Sequence, residues 1–181
     1  MYEEGQESQN WLQACEGLPI IVVKNGRKQI TKFTPTYRQQ KIAKLIDGDN
    51  KEVRILKGRQ EGITTLLSLF AYQKAAKEGK TVLVFCPTSP LIEAFRRNIW
   101  VDCNRVSFQE GGRIILTASK EEVVGVRADY IIADEINFTK NVDETRHTLK
   151  SALSVDGKYI ESDTVEEFRP RKSEVFPESE Q

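Results

Sequence analysis

The 181-residue sequence predicts an α/β fold with a mostly parallel β-sheet flanked by helices. Three observations carry this reading. From residue 53 onward, short β-prone runs alternate with helical segments, the pattern of parallel strands joined by helical crossovers. One run, Thr81 to Cys86, is almost continuously apolar, as a strand buried on both faces requires. A hydrophobic content of 39% with 30% charged residues is that of a globular chain with a single core.

In chain order, Met1 to Asn10 is polar and acidic, and residues 1–19 read as an N-terminal arm. The runs Ile20–Val23 and Gln29–Phe33 flank Asn25-Gly26, the residue pair that a two-residue hairpin turn favours. Thr34-Pro35 reads as an N-cap and first helical position, with Ile42, Leu45 and Ile46 at helical spacing behind it. Val53 to Lys57 reads as a strand and residues 64–78 as a helix, with Leu66, Leu69 and Phe70 on one face and Gly79 past its end. After the Thr81–Cys86 strand come a helix from Pro90 to about Asn104 and strands at Arg113–Thr117, Tyr130–Asp134 and Gly157–Ser162. The polar, proline-interrupted residues 169–181 read as a disordered tail, which leaves 20–168 as the domain.

Composition excludes several chemistries. No apolar run approaches the roughly 20 residues of a membrane span, and the N-terminus lacks the features of a signal peptide, so a cytoplasmic protein without membrane contact is expected. Cys15, Cys86 and Cys103 show no CxxC spacing and His147 is the only histidine; a zinc site or a histidine-based triad is not expected. Chemistry must come from carboxylates, cations, hydroxyls and a bound metal ion. Lys and Arg number 27, as do Asp and Glu, a balance that suits a protein that grips and releases nucleic acid better than one that holds it statically.

The most informative stretch is Lys57-Gly58-Arg59-Gln60-Glu61-Gly62-Ile63-Thr64-Thr65, between a strand and a helix. Backbone N–H groups at a helix N-terminus, aided by its dipole, form an anion cradle. Gly58 and Gly62 permit a tight turn and close backbone approach, and Thr64 stands where a hydroxyl holds Mg²⁺ in G-x-x-x-x-G-K-[ST] loops. Against that pattern Lys57 replaces the first glycine and Ile63 the lysine, so on these residues alone an ordinary glycine turn stays open beside a phosphate site. The second element is Tyr130-Ile131-Ile132-Ala133-Asp134-Glu135. It delivers two carboxylates to the C-terminal edge of the sheet, where open α/β folds bind ligands. Asp134 suits the Mg²⁺ shell and Glu135 a general base acting on water.

Together these residues resemble large terminase subunits, the motors of viral DNA packaging. The loop from Lys57 to Thr65 is similar to the terminase variant of the Walker A loop, in which the lysine moves to the front and position 63 varies. The run Gly125-Val126-Arg127-Ala128-Asp129 leading to Asp134-Glu135 is similar to the approach to Walker B. Phe33 to Gln39 resembles the aromatic–glutamine segment near the adenine, Val84 to Pro90 the strand and loop after the first helix, and Gly157 to Thr164 the coupling segment. The last departs from the family, since Ser162-Asp163-Thr164 stands where Ser-Thr-Pro is usual.

The resemblance spans roughly residues 33 to 168 and implies a P-loop NTPase fold of the ASCE type that hydrolyses ATP with Mg²⁺. It implies that Lys57, Gly58, Arg59, Gln60, Glu61, Gly62, Ile63, Thr64, Thr65, Tyr37 and Gln39 bind nucleotide, and that Thr64 and Asp134 hold the metal. Lys57, Arg59 and Glu135 would be catalytic, and Ser162 and Thr164 would couple hydrolysis to movement. Its implied partners are double-stranded DNA, a portal protein, a small terminase subunit and further copies in a ring, in the host cell cytoplasm, with the nuclease activity on a separate or missing domain. Two alternatives stand beside it: a helicase-like remodelling ATPase, and a non-catalytic assembly protein.

Other residues read more plainly. Arg96 and Arg97 suit a solvated helix face before an arginine finger, Trp11 and Trp100 packing before base stacking, and His147 a surface position. Lys140, Arg146 and Lys150 suit a mixed charged surface before a DNA channel.

Overall fold

The computed structural model describes residues 11–24 and 27–165. Its first element is a short helix, α1 (Trp11–Cys15). Trp11, Leu12 and Cys15 are buried, and the Trp11 ring meets Phe70 edge-on with centroids 5.0 Å apart. This stretch therefore belongs to the packed body and corrects the arm read for residues 1–19: the three side chains share one apolar face, and an edge-to-face aromatic pair holds it down. Residues 1–10 of that reading lie outside the described residues, as do the Asn25-Gly26 turn and the tail at 169–181.

The expected hairpin is present as β1 (Pro19–Lys24) and β2 (Arg27–Lys32), paired antiparallel from Pro19↔Lys32 to Lys24↔Arg27. The helix α2 (Tyr37–Asp47) starts two residues later than Thr34-Pro35 suggests, because Thr36 is its N-cap. Thr36 Oγ1 accepts from Gln39 N, and Gln39 Oε1 accepts from Thr36 N, a reciprocal capping box that Thr34 has no partner to form. At its other end, Lys158 Nζ donates to the carbonyls of Ile46 and Gly48, which satisfies orphan acceptors of the last turn.

After β3 (Glu52–Lys57) comes α3 (Ile63–Glu78). Leu66, Leu67, Leu69, Phe70, Ala71 and Ala75 are all buried, so α3 is covered nearly all round and not along one stripe. Gly79 ends it in the left-handed conformation, φ 67°, as its position past the last apolar residue predicts. The strand β4 (Thr81–Phe85) leads to α4 (Ser89–Asn98), which stops short of Asn104. There Trp100 turns left-handed, φ 58°, and its indole N–H donates to Pro19 O at 3.0 Å.

The chain continues through β5 (Arg105–Ser107), β6 (Arg113–Thr117), β7 (Ala128–Asp134), α5 (Val142–Ser151) and β8 (Leu153–Thr164). The strand order is β3-β8-β7-β4-β6-β5, with every pairing parallel except β5 with β6. Each face carries its own core. Val82 and Val84 of β4 join the α1–α3–α4 side, and Leu83 and Phe85 join the α5 side, the alternation a doubly covered strand requires. No helix among the described residues is long and apolar enough to cross a membrane.

Candidate functional site

Three adjacent parallel strands end side by side. Lys57 closes β3, Asp134 closes β7, and β8 pairs with both, Thr164 beside Lys57 and Ser162 beside Asp134. The loop from Gly58 to Gly62 runs above these ends into α3. The result is a cleft of about 630 Å³, within the usual small-molecule range of roughly 300–1,000 Å³.

Lys57 is the hub. Its Nζ lies 2.5 Å from Asp134 Oδ1 and 3.1 Å from Glu135 Oε1. Thr64 donates its hydroxyl to Asp134 Oδ2 at 2.8 Å, and Ser162 donates its own to Asp134 Oδ1. Asp134 is fully buried beneath this layer. Glu135 is a wall of the cleft. Its Oε1 accepts from Thr164 Oγ1 at 2.5 Å and its Oε2 from Thr164 N at 2.9 Å. Burial pushes the Glu135 carboxyl up, but the two Thr164 bonds and the Lys57 charge outweigh it and hold the group below the ordinary carboxylate range.

The loop enters α3 through left-handed backbone. Gly62 caps α3 in the left-handed conformation, φ 70°, with no side-chain cap, so the first N–H groups of the helix are left without a capping side chain. Gln60, φ 63°, and Glu135, φ 59°, are also left-handed. Such residues cost about 1–3 kcal/mol each and concentrate at functional sites; two of the three described non-glycine cases line this one cleft.

Of the residues read from sequence, Lys57, Gly58, Arg59, Gln60, Glu61, Gly62, Ile63, Thr64, Glu135 and Thr164 line the cleft. Asp134 and Ser162 lie just beneath it, bonded to Lys57 and Thr64 or to each other. Arg59 is exposed. Ile63 is buried in the main core, so at the position of the usual loop lysine the side chain serves packing, while the Lys57 ammonium reaches the same cleft from the end of β3. Thr65 turns away, its hydroxyl facing Asn98 Nδ2 at 3.4 Å.

Tyr37 and Gln39 are not among the residues lining the cleft. The Tyr37 ring is 71% exposed beneath Lys41 Nζ, 4.5 Å from its centroid. Gln39 is buried and fully engaged: besides its capping bonds, Nε2 donates to Gly62 O at 2.9 Å. A Cβ at Gly62 would stand 2.9 Å from that same nitrogen and would push the Gln39 amide aside, while the backbone angle of φ 70° itself favours glycine. Sequence reading missed Thr88, Leu91 and Phe138, which complete the walls. Thr88 had a signal, since it follows β4 at the same edge of the sheet; exposed Phe138 had none.

Nearby charges are mostly paired. Arg146 grips Glu161 with two bonds of 2.8 and 2.9 Å and also pairs with Asp143. Lys150 pairs with Glu52, and Arg96 with Glu93. His147 and Lys140 are exposed.

The donor set fits Mg²⁺. The Thr64 hydroxyl and the Asp134 carboxylate just beneath it are adjacent hard oxygen donors, the kind of ligand that ion takes alongside phosphate oxygens.

The fold is one shared with a solved large terminase. The crystal structure of the HK97 bacteriophage large terminase superposes with a TM-score of 0.67 at 9% identity, over 86% of this chain and 37% of that one. The chain thus spans a little over a third of the HK97 protein's length. The large terminase ATPase domain of Thermus phage P74-26 also matches, at 18% identity and a TM-score of 0.47, over 74% of this chain and 66% of that one. No protein-family model matches the sequence, and neither does any curated protein. The structural neighbours are large terminases, and the fold is theirs.

Proposed function

We propose that this chain is the ATP-hydrolysing motor domain of a large terminase and moves double-stranded DNA into a procapsid. The observation that carries the reading is the position of Lys57. It meets Asp134, Glu135 and Thr64 at the foot of a glycine loop, which gathers the charges a phosphoryl transfer uses.

On this reading the loop N–H groups and Lys57 hold the phosphates of ATP. Lys57 then exchanges its contacts with Asp134 and Glu135 for phosphate oxygens, which frees both carboxylates for work. Thr64 and Asp134 would hold Mg²⁺, which when bound offsets charge on the phosphate oxygens. Glu135, a wall of the cleft, accepts the proton of the attacking water. Arg59, free at the rim, offsets charge that develops on the transferred group. Ser162 and Thr164 touch Asp134 and Glu135 directly, so β8 is the element that would sense the state of the site. The same reading brings a portal protein, a small terminase subunit and a ring of like subunits as partners, in the host cytoplasm.

Phosphate release measured with ATP and Mg²⁺, with and without duplex DNA, tests the reading. Turnover that rises with DNA and disappears in Lys57→Met supports it. Absence of any ATP binding by the unsubstituted protein overturns it.

A further inference from the structure

Between Glu16 and Asp47 the sequence carries seven lysines and arginines and no acidic residue, in a chain whose formal net charge is zero. An asymmetry of this kind marks a surface for a polyanion. The structure shows how it is displayed. The hairpin is fastened at its base: Ile20 is buried in the main core, Trp100 donates to Pro19 O, and Phe33 N donates to Leu18 O at 2.8 Å. Beyond the base, every residue of β2 is exposed. Arg27, Lys28 and Lys32 make no ion pair among the described residues.

We propose that the β1–β2 hairpin is a contact surface for the phosphate backbone of duplex DNA. The inference rests on the reading of the chain as a DNA motor and adds the place where it touches its track. Successive strand residues point to opposite faces. Ile20 pairs with Thr31 and is buried, so the opposite face, with Lys28, Ile30 and Lys32, looks outward. Lys28 and Lys32 are four residues apart, about 13 Å along a strand, close to the major-groove width of about 12 Å. A two-stranded ribbon is also narrow enough to enter that groove. Ile30, the one large apolar side chain exposed on β2, stands between the two lysines on this face, beside its half-buried cross-strand partner Ile21. One exposed isoleucine between two lysines suits phosphates better than the apolar interior of a bilayer. Exposed lysines also give binding that is reversible and sensitive to salt, as a moving track demands.

The test is titration of the full chain with a fluorescent 30-base-pair duplex at several salt concentrations. Wild type is compared with Lys28→Ala/Lys32→Ala and with a control at exposed α3-end positions, Lys77→Ala/Lys80→Ala. The hairpin variant is expected to bind more weakly and to lose about one unit of log–log salt slope per lysine, about two in all. The control keeps the wild-type slope, and ATP turnover without DNA is equal in all three. The proposal is overturned by equal slopes in wild type and hairpin variant, or by an equal loss in the control. It is also overturned if the wild type ignores the duplex and binds anionic phospholipid vesicles through these lysines. Hairpin-dependent DNA binding without any ATP binding would keep this inference and remove only the motor reading.

Discussion

Lys57 and Asp134 form a contact of 2.5 Å between side chains that are 6% and 0% exposed. They come from strands β3 and β7, which are not neighbours in the sheet; β8 lies between them. The pair therefore bridges across the end of β8 and ties three strands together beneath the cleft. Removing one partner of a buried ion pair leaves the other charged and uncompensated, at a cost of about 3–5 kcal/mol. Lys57→Met is expected to lose about 3 kcal/mol of stability in urea denaturation, the low end, because Thr64 and Ser162 still bond Asp134. Unchanged stability would mean that the contact contributes nothing to the fold.

Gln39 connects the start of α2 to the phosphate-loop candidate 23 residues on. Gln39→Ala removes the bond to Gly62 O and half of the capping box, and is expected to cost about 1–2 kcal/mol and to weaken ATP binding. Gly62→Ala should be worse for the loop, since it adds strain at φ 70° to a contact of 2.9 Å with Gln39 Nε2. Calorimetric titration with ATP checks both; wild-type affinity in each would remove Gln39 from the account of the site.

On the other face of the sheet, Arg146 is the main partner of buried Glu161, which also accepts from Tyr159 Oη at 2.9 Å. Arg146→Ala is expected to lower stability by about 3 kcal/mol while leaving ATP affinity at the wild-type value. A loss of affinity without a loss of stability would instead put Arg146 in the site.

The carboxylates of this region respond to pH in opposite senses. For Glu135 and Glu161, burial raises the pKa, but hydrogen bonds and cations outweigh it and the net shift is downward. Their contribution to stability is present above the unfolded pKa and lost as pH falls through the folded one. Asp163 is the reverse. Burial raises its pKa, and the Asn137 N–H at 3.0 Å offsets only part of that. Its charge therefore costs stability at neutral pH, and the cost is relieved as pH falls through the raised folded pKa. Asp163→Asn, which keeps an acceptor for Asn137, is expected to raise the melting temperature at neutral pH and to lose that advantage in acid. A lower melting temperature at neutral pH would show that the charge itself is needed.

Much of the fold was legible because its strands are long, apolar and punctuated, as at Thr81–Cys86 and Tyr130–Asp134. The candidate loop and carboxylates stood out because each sits where a strand ends. Less was legible where few residues carry the signal. In α1 three buried side chains sit behind an acidic leader, too short for a period to show. In α5 only Thr145 and Leu149 are buried, and its charged surface hides the helix. The strand β5 has three residues and no apolar alternation. The bond from Gln39 to the Gly62 carbonyl leaves no trace in local sequence, since its two ends lie 23 residues apart. The burial of Asp163 was likewise invisible, since it depends on the turn at Ile136–Phe138 folding back over the end of β8.

The central claim is that Glu135 acts on water at a site that binds ATP, and Glu135→Gln tests it most directly. Glutamine keeps the size of the side chain and an acceptor for Thr164 but cannot take a proton. Nucleotide binding and phosphate release should be measured on the same preparation. The account predicts that the variant binds ATP with Mg²⁺ about as tightly as the wild type while turnover falls by at least about 100-fold. Turnover at the wild-type rate in Glu135→Gln would contradict it.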